Sequence, residues 1–186
     1  MKRLQLFLAA FLLAATMLTG CAPKGYKPYY ATPGVSGEPG DYNQLTLQRT
    51  ACFGFCPIYE VTVYEQDVLQ FSGERFVTET GGAVSKRLPD GSFKKLIKIA
   101  RDHHFSDFDT RYPNEAGDNC GPIATDMPSV IISVETKRLN HEVSVYQGCR
   151  DFEGRERFEE MVAQMDAIFD IEDWIGPRED FYGAKE

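Results

Sequence analysis

The chain has 186 residues, with 28 acids against 20 lysines and arginines and a formal charge of −8. That balance argues against nucleic acid as a partner, because phosphate binding needs a basic footprint. A chain of this length defaults to one domain.

The first twenty residues read as an export signal. "MKR" is a short positive start, and residues 4–18 form an apolar run broken clearly only by Gln5. The run is shorter than the roughly 20 residues a transmembrane helix needs, and it matches the apolar region of a secretory signal. It ends in "LTGC", where small residues before Cys21 resemble the bacterial lipobox. The resemblance implies cleavage before Cys21 and a diacylglyceryl and N-acyl anchor on it. Several acyl chains hold a protein to a bilayer where one does not. Ala22 in place of aspartate then implies an outer-membrane address, facing the periplasm. Cleavage removes Lys2, Arg3 and no acid, which takes the charge to −10.

Residues 22–40, "APKGYKPYYATPGVSGEPG", are rich in Pro, Gly and Tyr and show no apolar period. Such a stretch cannot bury enough surface to offset its ordering entropy. With Cys21 it is expected to be a flexible tether, spanning about 25 Å as a coil. The folded domain is expected over residues 41–176, with a loose tail over 177–186.

From Asp41 the pattern changes. "QLTLQR" and "IYEVTVY" alternate as strands, and "VLQF" after "EQD" makes a hairpin with the second. "ERFVTET" and "AVSKRL" across "GG" suggest another hairpin. Phe93, Leu96, Ile97, Ala100 and His104 recur at helical spacing, with Asp90 or Ser92 as N-cap. A polar loop runs over residues 106–126. "PSVIISVE" and "HEVSVY" around "KRLN" form the clearest hairpin. In "GRERFEEMVAQMDAIFDI", Phe158, Met161, Val162, Met165, Ile168 and Phe169 form one apolar stripe opposite an acidic face. Trp174 and Ile175 are expected to fold back onto the core. Hairpins broken by two helices predict an α+β fold: an antiparallel sheet with two helices packed on one face.

Four cysteines remain after the lipidation site: Cys52, Cys56, Cys120 and Cys149. An even count in an exported protein favours two disulfides, and four cysteines allow three pairings. Gly54 lets the chain turn between Cys52 and Cys56, and Cys120 and Cys149 bracket the last hairpin, so 52–56 and 120–149 are favoured. Such bridges would make the domain disulfide-stapled.

Cys52-x-x-x-Cys56-Pro57 also resembles the copper motif of thioredoxin-like copper chaperones. Paired thiolates suit Cu(I), and His103, His104 or His141 could complete such a site. Against this, Pro57 runs straight into a strand pattern, and no βαβ unit surrounds it. A periplasmic thiol-redox or Cu(I) protein is therefore the alternative reading, with Cys52, Cys56, His103 and His104 as its candidate ligands.

The stretch "RTACFGFCPIYEVTVYEQDVLQFSGE" resembles the opening of a family of bacterial exported domains known only as a domain of unknown function. The residues that carry the likeness are Arg49, Thr50, Cys52, Phe53, Gly54, Cys56, Pro57 and Tyr59. The likeness covers roughly residues 44–171. It implies an α+β domain, often secreted or lipid-anchored, with no assigned activity, so no catalytic residue carries over from it.

Other candidate sites are sparse. His103 and His104 with Asp107 and Asp109 could meet a divalent metal. Asp109, Asn114, Glu115, Asp118, Asn119 and Asp126 offer oxygen ligands but lack an ordered calcium-loop spacing. Lys86, Arg87, Lys94, Lys95, Lys98 and Arg101 form a basic segment suited to an anionic partner, or to pairing with the acidic second helix. No nucleophile elbow is present, and nothing calls for a cofactor. The leading expectation is a non-enzymatic envelope lipoprotein that meets the membrane through its anchor and binds an envelope protein or cell-wall component. A protein inhibitor of an envelope enzyme is a further alternative.

Overall fold

A computed structural model describes residues 43–78 and 82–177. The signal, lipidation-site and tether expectations lie outside these residues, as does nearly all of the expected tail. Among the described residues no helix is long and apolar enough to cross a membrane.

Seven strands form one sheet: β1 Gln44–Arg49, β2 Ile58–Tyr64, β3 Val68–Arg75, β4 Gly82–Arg87, β5 Arg111–Tyr112, β6 Ser129–Glu135 and β7 Asn140–Tyr146. Their spatial order is β4-β3-β2-β1-β6-β7-β5, antiparallel except for β5 beside β7. The helices are α1 Ser92–Asp102, α2 Arg155–Phe169 and the short α3 Ile171–Ile175, with a 3-10 turn at Phe105–Asp107.

Alternation places one side chain in two on each face. Register then aligns Leu45 with Val63 and Val134, and Leu47 with Val61 and Ile132. Phe71, Leu69, Val130, Val143 and Val145 continue this face, and all are buried. Phe93, Leu96 and Ala100 of α1 and the Phe158, Met161, Val162, Met165 and Phe169 stripe of α2 close over it as a single core. The opposite face is polar, with a Thr46–Thr62 hydroxyl contact at 3.1 Å and Gln44 donating to Glu135 at 3.1 Å. Trp174 folds back as expected and stacks on Phe71, ring centroids 5.0 Å apart.

The expected α+β fold is therefore present, but several local expectations are corrected. "ERFVTET" is not a separate strand. β3 runs unbroken through Glu74 and Arg75, and Phe76 at φ 55° then leaves the strand region. The polar loop holds the two-residue β5. The first helix ends at Asp102, and His104 sits beyond it at φ 52°. Neither Asp90 nor Ser92 caps α1. Ser92 lies inside the helix and its hydroxyl donates to the Pro89 carbonyl at 2.6 Å.

The cap comes instead from Asp67 in the β2–β3 turn. Its carboxylate accepts from Gly91 N and Phe93 N, both at 2.7 Å. This satisfies N–H groups that a helix leaves open at its start, and a negative charge there suits the helix dipole. Asp67 itself adopts φ 59°, a region that Asp and Asn tolerate better than most residues. Asp67→Ala is expected to cost about 1–2 kcal/mol, read as a lower urea midpoint at unchanged slope. Asp67→Asn is expected to cost less.

Candidate functional site

The stretch "RTACFGFCPIY" occupies the β1–β2 connection. Arg49 closes β1 and Tyr59 lies directly opposite it in β2, both on the helix-covered face. Arg49 Nε donates to the Tyr59 hydroxyl at 2.7 Å, and its NH2 group donates to Asp166 Oδ2 on α2 at 2.5 Å. The three residues clasp helix to sheet beneath the turn.

The clasp is largely dehydrated. The Arg49 and Asp166 side chains are 28 % and 19 % exposed, and Tyr59 is buried. Burial pushes the Asp166 carboxyl above its ordinary value, and the neighbouring Arg49 charge opposes this without cancelling it. Burial likewise pushes the Tyr59 phenol up, to about 12. For Arg49, burial acts to lower the pKa, but Tyr59 and Asp166 outweigh it and the guanidinium is held charged. Asp166 Oδ1 is buried, with no hydrogen-bond partner among the described residues.

Above the clasp the turn is fixed from three sides. Thr50 exchanges two bonds with β6: its N–H donates to the Ser129 carbonyl at 3.0 Å, and its hydroxyl accepts from Ser129 N at 2.7 Å. Phe53 N donates to the Asp126 carbonyl at 3.2 Å. A disulfide joins Cys52 and Cys56, with Cα atoms 5.8 Å apart. Gly54 takes φ 147°, which disfavours any side chain. The second disulfide joins Cys120 and Cys149. Both pairings are those favoured from sequence.

The turn presents its aromatics outward. Phe55 is 46 % exposed and meets Phe76 edge-on at 5.2 Å, while Arg75 lies over the Phe76 ring at 4.8 Å. The bulge between Ile58 and Tyr59 in the β2–β3 register sits at this end of the sheet. Phe53 is 88 % exposed.

The remaining sequence candidates are dispersed. His103 caps the C-terminus of α1, His104 faces Asp107 at 3.7 Å, and His141 Nε2 bonds to the Phe108 carbonyl at 3.0 Å. Among the described residues no three His, Cys, Asp or Glu side chains gather as a metal site. Side chains of the acidic loop bind the loop to itself. Asn119 Nδ2 donates to Asp109 and to the Arg111 carbonyl, and Asn114 Nδ2 donates to Asp118. In the basic segment, Lys86 pairs with Asp170 at 2.9 Å, Lys98 and Arg101 pair with Asp102 on their own helix, and Arg87 donates to the Gln66 carbonyl. Lys94 and Lys95 stay exposed. Among the described residues the expected pairing of this segment with the second helix comes down to the Lys86 contact with Asp170 at its C-terminal end.

Fold and turn together define a disulfide-stapled α+β domain that displays a rigid aromatic turn. Residues 43–169 match the family described as Domain of unknown function (DUF6438), and the chain belongs to that family. No curated protein matches the chain.

Proposed function

We propose that the protein is a non-enzymatic envelope lipoprotein, anchored through Cys21 in the outer membrane, that binds a periplasmic envelope component through the turn closed by Cys52 and Cys56. The observation that carries this reading is the 88 % exposure of Phe53 on a turn pinned by a disulfide and by backbone bonds to the β6 side. Burying a phenylalanine contributes about 1.5–3 kcal/mol, and a turn already rigid loses little entropy when it docks. Arg49, Thr50, the two cysteines, Gly54 and Tyr59 all hold the turn in place. Phe53 holds the turn only through its main-chain N–H on the Asp126 carbonyl, so its exposed ring is available for a partner.

The test is a photo-crosslinking side chain placed at position 53 in the full chain, in cells, against the same group at exposed Lys137. A discrete adduct at 53 and none at 137, lost from the envelope on competition by native chain but not by the Phe53→Ala chain, supports the reading. Phe53→Ala should leave the unfolding midpoint unchanged, because almost no surface is uncovered. Equal adducts at both positions would sink it. Free Cys52 and Cys56 thiols protected by Cu(I) would move the site from the ring to the sulfurs and replace this reading with the thiol one.

A further inference from the structure

At the β5 edge of the sheet, on the face away from the helices, lies a cleft of about 380 Å³ that the reading above does not use. Register places Ser129 opposite Tyr146, and Ser144 beside Arg111, so these four side chains share one face. Their neighbours Tyr112, Val130 and Val145 point the other way, into the core. Pro113, Asn114 and Glu115 form one wall and Ile123 another.

The walls are held. Cys149, bridged to Cys120, pairs with Ile123 in a short β-bridge, and Ala124 N donates to the Gly148 carbonyl at 2.9 Å. The Tyr146 hydroxyl accepts from Met127 N at 3.1 Å, which fixes the ring at the floor. Asn119 ties the Arg111 carbonyl and Asp109 together on the other side.

Inside this frame the chemistry is unspent. Arg111 is exposed, and among the described residues its guanidinium has neither an ion-pair nor a hydrogen-bond partner. The hydroxyls of Ser129 and Ser144 likewise make no hydrogen bond among the described residues. Ile123 is 48 % exposed although its main chain is bonded into the fold. A cationic fork, two hydroxyls, an aromatic floor and an apolar wall line a space large enough for an amino-acid residue together with its flanking groups.

We propose that this cleft binds a carboxylate that carries an apolar group: the C-terminus of a peptide, or an N-acylated apolar amino acid. Arg111 takes the carboxylate in its planar fork, a geometry it matches in two hydrogen bonds. The serine hydroxyls complete the oxygen's contacts, and Ile123 and the Tyr146 ring cover the side group. A single cation with Glu115 at the rim, on a chain of charge −8, favours a monoanion over phosphate monoesters, whose second charge would be repelled.

The site is independent of Phe53, so the experiment separates the two readings. The full chain, labelled at isoleucine methyls and held in detergent, is titrated with N-acetylphenylalanine and with its amide. It is also titrated with a tetrapeptide ending in phenylalanine, with free and amidated C-termini. The Ile123 methyl should shift with the free acids and not with the amides. Arg111→Gln should weaken binding about tenfold or more, the scale of a lost hydrogen bond to a charged group. Arg111→Lys should fall between, and Phe53→Ala should match the native chain. Tighter binding of the tetrapeptide assigns the site to peptide ends; equal binding assigns it to single residues. Amides that shift Ile123 as well as acids do, or a natively folded Arg111→Gln chain that binds unchanged, would overturn the proposal. So would no shift at about 10 mM ligand, where even a millimolar Kd gives saturation.

Discussion

Substituting Arg49 with methionine is expected to destabilise the domain by about 3 kcal/mol. Among the described residues the guanidinium is the one cation paired with Asp166, and one Asp166 oxygen is already buried without a partner. Removing one member of a fully buried pair costs about 3–5 kcal/mol, because the other charge is left dehydrated. The partial exposure of both side chains puts the expected loss at the lower end of that range. The double variant Arg49→Met/Asp166→Leu should recover most of it, since no buried charge then remains. Urea unfolding of the two single variants and the double variant measures this directly. A double variant no better than Arg49→Met would show that the clasp works through packing alone.

The loss should also depend on pH. In the native protein burial already holds the Asp166 carboxyl above its ordinary value, and Arg49 is what opposes that rise. Without Arg49 it rises further. An acid whose folded pKa lies above its unfolded one favours the native state at low pH and loses that favour as pH climbs through the folded pKa. The Arg49→Met deficit should therefore be small below the ordinary aspartate range and full near neutrality. Tyr59 sets the opposite limit. Its phenol, pushed up to about 12, contributes fully below its ordinary value, and the contribution drains as pH rises from about 10 to about 12. Tyr59→Phe should remove that part of the alkaline decline, seen by comparing unfolding midpoints on either side of the window.

Much of this architecture is written locally in the chain. Alternation in "QLTLQR", "IYEVTVY" and "PSVIISVE" gives β1, β2 and β6, because β1 and β6 bury one face and β2 does so until Thr62 and Tyr64 bury its other face as well. The α2 stripe at Phe158, Met161, Met165 and Phe169 is equally direct. The disulfides follow from Gly54 and from the hairpin that the second pair brackets. What stayed hidden joins residues far apart. Asp67 caps a helix whose N-cap residue, Gly91, lies 24 positions later, and its role depends on the β2–β3 turn meeting that helix. Arg49 finds Asp166 across 117 positions. Asp166 reads in sequence as one more acid of an acidic helix, although its spacing from Val162 and Phe169 sets it at the border of the apolar stripe, and the partner it meets there is invisible locally. Arg111 sits in a loop that looks merely polar, and β5 is too short to leave a pattern. Its pairing with β7 is what gives the carboxylate cleft its cation.

The two disulfides should respond very differently to removal. Cys120→Ser/Cys149→Ser is expected to cost roughly 3.5 kcal/mol on the loop-entropy account, since the bridge closes a 29-residue separation. The loss should act on the β6–β7 hairpin and the 113–128 loop together, because Gly121 N donates to the Asp151 carbonyl and Ala124 N to the Gly148 carbonyl around that bridge. Both the global midpoint and the Ile123 cleft should therefore suffer. Cys52→Ser/Cys56→Ser opens a separation of only 4, for which the same account gives about 2 kcal/mol. Its clearer consequence should be on binding. Thr50 still ties the base of the turn to Ser129, but the span that carries Phe53 gains freedom that any partner must then remove on docking. Hydrogen exchange should show protection lost across residues 43–177 in the first variant and only near residues 52–57 in the second. If instead the 52–56 variant unfolds as readily as the 120–149 variant, the aromatic turn is a structural keystone, and the case for Phe53 as a binding group loses its mechanical basis.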